Sequence, residues 1–373
     1  MENKLKKLWP LATLALLSSA SLVHAENNKK DKNAQPDGMT TQPVNPSARG
    51  TVGNGFFASI EPFVWKAHED GLTPTITNTN GTATPSGASN YYDAEFDHMH
   101  FKWDWGFHLG VGVNLSHDEW DSLLNWTHFR TTASQDTDCC QNGPDATTIY
   151  PQFFAKRPQD PNQQPVVTGS NAKWKLRLDM VDWELGRKFF TGRWLSIRPF
   201  MGLRGAWIRQ NMDINYFDEN GVDIPTDQFY EVDMKNKFWG VGPRIGMNTQ
   251  WNFSKEFSFY GDAAISLLYG RFKVTQEEEL DPDTILDISD QWRTSRFIGD
   301  LAVGIRYEHL FEDKEFKFTG SFGWENHIFF DQNNFKHFVT NITGADVLTW
   351  TIPDWDNNNL STQGWTLSLR FDF

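Results

Sequence analysis

The 373-residue chain is poor in cysteine, in net positive charge and in long apolar runs, and each shortage excludes a class of protein. Its two cysteines are adjacent, Cys139 and Cys140, so no disulfide-stapled scaffold can form and no zinc-ligand spacing exists. The formal charge is −14. Loss of the first 25 residues, with three Lys and one Glu, makes it about −16, which disfavours nucleic acid as a partner because phosphate binding needs a basic surface. Beyond Ala25 no run of 18 apolar residues occurs, so no transmembrane helix is expected. Catalytic signatures are missing as well: there is no Gly-x-Ser-x-Gly elbow, no His-Glu-x-x-His and no phosphate-cradling glycine loop. Asp97-His98 and His100 are the only rim groups resembling a base with its orienting partner, and such histidines are commonly inert. The chain is therefore expected to be no enzyme and to carry no cofactor or metal.

The mean hydropathy of −0.56 suggests a soluble protein at first sight. It is uninformative for a β-barrel, whose strands need only about 9–11 residues to cross a bilayer and turn half of them away from lipid. Aromatic content points the other way: 17 Trp and 30 Phe is heavy, and barrels set such residues in girdles at both interfaces. Lys4, Lys6 and Lys7, the apolar run from Leu8 to about Val23 and the Val23-His24-Ala25 site read as a signal peptide over 1–25. Residues 26–54 are polar and turn-rich, a flexible periplasmic extension, and 55–373 reads as the folded domain.

From Phe101 to Leu115 every odd residue is apolar and every even one is polar or glycine. A period of two over that length is a strand with one greasy and one wet face. The pattern recurs around Leu195–Trp207, Trp239–Met247, Phe297–Tyr307, Phe316–Trp324 and Trp365–Phe373, with weaker stretches at Phe56–Trp65, Trp120–Arg130 and Phe257–Arg271. In Trp174–Leu185 the phase slips after Met180, which predicts a β-bulge there. Pro62 and Pro199 suit strand ends or bulges, whereas Pro243 falls inside a strand. Short links (near 116–119, 188–193, 252–256 and 309–315) alternate with long ones (near 67–99, 131–171, 211–236, 273–291 and 330–362). Short periplasmic turns and long outer loops are the topology of outer-membrane barrels. The fold class expected is all-β: an antiparallel transmembrane β-barrel of about ten strands, integral to a bacterial outer membrane. A further hairpin near Phe335–Thr340 and Val347–Ile352 would make twelve.

Polar residues opposite the apolar ones are candidates for the pore lining: Lys102, Asp104, Arg177, Asp179, Arg198, Arg204, Arg244, Asp300, Arg306, Glu325 and Arg370. Their near balance of charge suits either a water path or an ion-pair network filling a narrow barrel. Acidic residues crowd the 211–236 and 273–291 loops, an arrangement that would enrich cations at the mouth. Phe371 and Phe373 on the final alternating strand look like the signal read by the barrel-insertion machinery. Cys139 and Cys140 would lie outside; a vicinal bridge is strained, so a disulfide-linked neighbour or homo-oligomer is an equal alternative. The remaining expected partners are outer-membrane lipid and small hydrophilic solutes.

Several segments carry a family resemblance. They are Phe57…Glu61…Trp65-Lys66 followed by Glu69-Asp70-Gly71-Leu72, Trp105-Gly106-Phe107 with Gly110 and Gly112, and Asp118-Glu119-Trp120-Asp121 before Trp126-Thr127. Trp183-Glu184-Leu185-Gly186-Arg187, Arg198-Pro199-Phe200 with Gly202-Leu203-Arg204, and Gly240-Val241-Gly242-Pro243-Arg244 complete them. From about residue 55 onward the chain resembles the Legionella major outer membrane protein-like family of pore-forming proteins, also found in Chlamydia-like bacteria. The resemblance implies a porin or adhesin-like envelope protein, abundant and surface-exposed; the first reading is a passive diffusion pore for small hydrophilic solutes, with a weak cation preference set by the acidic loops. The alternative is a structural or adhesin-like protein that contacts host or neighbouring envelope surfaces without an open pore. About eight strands are filled by side chains and 16–18 leave a channel, so ten strands sit near the closed end.

Overall fold

The computed structural model describes residues 55–78, 94–115, 119–138, 148–156, 165–191, 194–221, 223–311, 316–335, 339–342, 348–351 and 358–373. The expected signal peptide and extension, and Cys139 and Cys140, lie outside the described residues. Ten long strands form the barrel: β1 (Phe56–Glu69), β2 (Trp103–Asn114), β3 (Trp120–Asp138), β4 (Gly169–Arg187) and β5 (Leu195–Phe217), then β6 (Tyr230–Asn252), β7 (Phe257–Leu280), β8 (Asp283–Leu310), β9 (Lys317–Asn333) and β10 (Asn358–Asp372). Each pairs antiparallel with the next, and β1 pairs with β10, so no edge is left. Closure satisfies the backbone where no water can.

The register sets the size of the cylinder. Direct partners run from Phe57 through Gly112, Leu123, Glu184, Gly202, Arg244, Ser266, Ile298, Phe329 and Leu360, and return to β1 at Glu69, twelve residues along. Ten strands with that stagger tilt by about 40° and have a backbone radius of about 10 Å. Inward side chains nearly meet at that radius. The outer face carries Phe257, Phe259, Ile265, Leu267 and Tyr269 on β7, and Phe297, Leu301, Val303 and Ile305 on β8, all exposed. At this tilt Phe257 to Tyr269 spans about 30 Å, the thickness of a bilayer's hydrocarbon core.

The structure corrects two expectations, and they share one cause. Strands β5 to β8 run for 23, 23, 24 and 28 residues, well past the apolar band. The expected loop at 273–291 is almost wholly strand, with Asp281 and Pro282 alone joining β7 to β8, and the 211–236 loop shrinks to 218–229. The second correction concerns β4, whose pairing runs without a break from Gly169 to Gly186, so there is no bulge at Met180. What changes there is the medium. Below Met180 the outer face meets lipid; above it the outer face meets water and the interior is packed. Trp174, Leu176, Leu178 and Met180 therefore point inward and are buried, while Lys173, Lys175 and Arg177 point out. The barrel has the ten strands expected: the hairpin that would have made twelve forms, Val339–Ile342 with Leu348–Thr351, but as a separate two-stranded sheet.

The prolines are accommodated by gaps in one ladder. Pro243 is paired with Leu203 of β5, while the β6–β7 pairing skips from Val241 to Arg244. Its missing N–H thus costs a bond on one side only. Pro62 is treated alike, paired with Phe107 and skipped on the β10 side, and Pro199 lies just beyond the end of β4's pairing.

Candidate functional site in the barrel lumen

The wet face of each strand converges on the barrel axis, and in the half nearest the short turns it encloses a polar cavity of about 330 Å³. Three arginines cross it. Arg204 makes two parallel 2.7 Å hydrogen bonds to Asp182 and reaches Asp300 at 2.9 Å. Arg244 bonds Asp300 and lies 3.3 Å from Glu184. Arg198 donates to Asp121 (2.7 Å), Glu184 (3.2 Å) and the Asn248 side-chain oxygen (2.8 Å). His327 Nδ1 stands 2.8 Å from Asp300, and His108 Nε2 3.3 Å from Glu325. Nearer the turns Lys317 and Gln250 both donate to Glu308, each at 2.8 Å, and Arg370 pairs with Asp372. These are charge-assisted bonds held in a low-dielectric setting, where breaking one leaves an uncompensated ion.

Above Arg204 the interior changes character. Phe63, Trp65, Phe129, Leu178, Ile208, Leu268 and Phe329 are each at most 1 % exposed and belong to one continuous apolar cluster. Phe63 and Trp65 stack with ring centres 3.7 Å apart. Chain between the strands fills the rest. Thr75–Asn78 forms a three-stranded sheet with Ala94–Asp97 and Thr148–Pro151, and Leu72, Ile149, Phe153 and Phe154 join the cluster. Tyr216 donates its hydroxyl to the Pro74 carbonyl at 2.7 Å, and the Ala155 N–H is bonded to Glu278 at 2.7 Å. The polar ends of these groups are thus satisfied inside an otherwise dry plug.

Seven of the expected lining residues face the cavity: Arg198, Arg204, Arg244, Asp300, Arg306, Glu325 and Arg370. Asp104 points inward higher up and accepts a 2.6 Å bond from Thr131, and Lys102 is exposed ahead of β2. Arg177 and Asp179 are on the outer face, paired with each other at 3.0 Å, because the inversion of β4 carries them out of the lumen. Phe371 and Phe373 lie exposed at the short-turn end. Asp97 spends its carboxylate on the hydroxyls of Thr75 and Thr77, both at 2.7 Å.

Sequence reasoning missed Glu61, Asp121, His108 and His327. His108 stood in plain view on the polar face of its strand, but only closure of the barrel sets it beside Glu325, 217 residues away. Glu61, His108 and Glu325 present ligand atoms within 4.8 Å of one another, donor types that suit a divalent metal. Each already has a partner in the protein, Ser368 on Glu61 (3.0 Å) and Thr127 on His108 (2.8 Å), so the trio is complete as a hydrogen-bond network.

A closed, tilted, antiparallel cylinder with a lipid-facing apolar band and a polar interior defines a transmembrane β-barrel of the outer-membrane kind. Residues 56–373 match the family described as Legionella pneumophila major outer membrane protein precursor. The chain belongs to that family and is an integral outer-membrane protein. No curated protein matches it. Among solved structures it is similar to the outer membrane protease OmpT from Escherichia coli, at 11% identity over 86% of this chain and 96% of that one, with a TM-score of 0.36. It is also similar to the toluene transporter TbuX of Ralstonia pickettii, at 10% identity over 88% and 91% of the chains, with a TM-score of 0.30. The toluene transporter TodX of Pseudomonas putida follows at 5% identity over 88% and 91%, with a TM-score of 0.23. Scores this low carry no argument about activity.

Proposed function

We propose that this protein is a non-enzymatic outer-membrane barrel closed by its own interior, whose role is structural and surface-presenting. The observation that supports it is the apolar plug. Phe63, Trp65, Phe129, Ile208, Leu268 and Phe329 come from five strands around the ring (β1, β3, β5, β7 and β9) and meet across the axis with no appreciable exposure. A radius of about 10 Å leaves no aqueous path past such a layer. Above it β5 to β8 stand clear of the membrane as a collar with a charged outer wall, a surface available to other envelope or host molecules.

A second reading is the diffusion pore for small hydrophilic solutes, with a weak cation preference. The cavity below the plug favours it: acidic residues in its lining outnumber Lys and Arg by ten to seven. That reading requires the plug to move. Conductance of the refolded protein in planar bilayers decides between them. Absence of current steps supports the closed barrel. Stable steps, with a reversal potential of cationic sign in a salt gradient, would replace it with the pore.

A further inference from the structure

Five cations stand side by side on the outside of the barrel. Arg130 on β3 is directly paired with Arg177 on β4, Arg177 with Arg209 on β5, Arg209 with Lys237 on β6, and Lys237 with Lys273 on β7. Two residues nearer the membrane, Arg271 is directly paired with Arg293 on β8. All seven are exposed. Like charges directly opposite each other on a sheet are destabilising, and here that juxtaposition is repeated across five consecutive pairings. Among the described residues only Arg177 of the seven forms an ion pair, with Asp179 at 3.0 Å.

The depth of the row is as telling as its charge. At its centre Arg209 and Lys237 stand two residues beyond the directly paired Trp207 and Trp239, which close the apolar band on the long-loop side. Tryptophan at that level marks the membrane interface, so Arg209 and Lys237 at the centre of the row lie where headgroups of the outer leaflet begin, and the strand tilt inclines the row across that zone by about 3 Å per strand. Farther out the sign reverses. Asp213, Asp233, Glu277 and Asp287 form another directly paired row on the same face. The cations at that level are already matched by these acids, Asp213 with its direct partner Lys173 and with Lys175 at 2.7 Å and Asp233 with Lys235 at 2.6 Å, whereas among the described residues the belt below has no such row of counter-charges. Five strand spacings make the belt about 24 Å wide, room for more than one phosphate.

We propose that this belt binds the phosphorylated glycolipid headgroups of the outer leaflet. Guanidinium groups take phosphate oxygens in pairs, lysine ammonium groups add point charge, and the girdle tryptophans lie against the first methylenes. The bound phosphates relieve the repulsion along the row, so lipid stabilises the barrel as well as annealing it to the leaflet. The inference is independent of whether the lumen conducts.

The test uses the full chain refolded in detergent, with bis-phosphorylated lipid A as probe, dephosphorylated lipid A and inorganic phosphate as comparisons, and native mass spectrometry with thermal unfolding as readouts. Bis-phosphorylated lipid A should bind and raise the unfolding temperature, and salt should weaken it. The combined Arg209→Gln, Lys237→Gln and Lys273→Gln variant should bind about tenfold more weakly or worse, since each change removes a charge-assisted contact. Lys255→Gln, in the short turn at the opposite end, should bind as the parent does. The pair Arg130→Gln and Arg293→Gln, from the two ends of the belt, repeats the test should the first combination fail to fold. Equal binding of dephosphorylated lipid A, equal stabilisation by inorganic phosphate, or belt variants that bind like the parent would each overturn the proposal.

Discussion

Arg204 of β5 and Asp182 of β4 are joined by two parallel 2.7 Å hydrogen bonds, and both are buried where the polar cavity meets the apolar plug. Asp300 on β8 completes the arrangement from across the lumen, 2.9 Å from the same guanidinium. The pair marks the boundary on which the closed reading of the barrel rests.

Replacing Arg204 by Met removes the shared cation and leaves Asp182 with only the distant Arg244, 3.9 Å away. Loss of one partner of a buried pair costs about 3–5 kcal/mol. Urea unfolding followed by tryptophan fluorescence should show a loss of that size, and adding Asp182→Leu should recover part of it. A double variant as unstable as the sum of its parts would mean the two side chains are not coupled.

The plug makes its own prediction. Phe63→Ala with Trp65→Ala deletes the stacked pair at its centre, with a stability cost of about 3–5 kcal/mol per ring. The variant should produce current steps in planar bilayers under conditions where the parent is silent. Equal silence from a correctly folded variant would place the barrier elsewhere.

Glu278 supplies a pH dependence. It lies in the collar, beyond the membrane, where burial pushes its carboxyl above the ordinary value of 4.5 despite hydrogen bonds from Tyr230, Ala155 and Gln276 that pull it down. A raised folded-state value means the folded chain holds this proton more tightly than the unfolded chain. Its stabilising contribution is then complete below the ordinary value and is lost as pH rises through the raised one. Glu278→Gln should therefore raise the urea midpoint at pH 7 and change it little near pH 4.5. An equal effect at both pH values would show that the carboxyl titrates normally.

The inversion of β4 is open to labelling. In a background with Cys139 and Cys140 changed to Ser, Arg177→Cys should react with a membrane-impermeant maleimide on intact cells, and Leu176→Cys should not. Reaction at Leu176→Cys alone would restore the sequence-based assignment of faces.

Gly202 tests the close approach of β5 to β4. A Cβ there would run into the backbone carbonyl of Trp183, which cannot swing aside as a flexible side chain can. Gly202→Ala should therefore lower the fraction of chain that reaches the heat-modifiable folded form, whereas Gly205→Ala, where the nearest atoms belong to the Trp207 ring at 3.3 Å, should be tolerated. Equal folding of both would show that the strands have room to part.

Period-two alternation between Phe101 and Leu115 and its recurrence to Phe373, with the alternation of short and long links between those stretches, were enough to determine the class of fold, the antiparallel order and the even strand count. It could do so because lipid on one side and a polar interior on the other impose the same demand on every spanning strand. The residues Arg198, Arg204, Arg244, Asp300 and Arg306 were legible as lumen-facing for that reason. Tertiary structure alone decided which side was inside once a strand left the membrane. There the outer medium becomes water and the inner one becomes folded loop, so an unbroken alternation such as Lys173–Met180 reverses its meaning with no signal in the sequence itself. It also decided what the lumen charges do. Asp182, 22 residues from Arg204, is its direct partner on the neighbouring strand, whereas Asp300, 96 residues from Arg204, joins the pair only when a register stagger of twelve closes the cylinder around them.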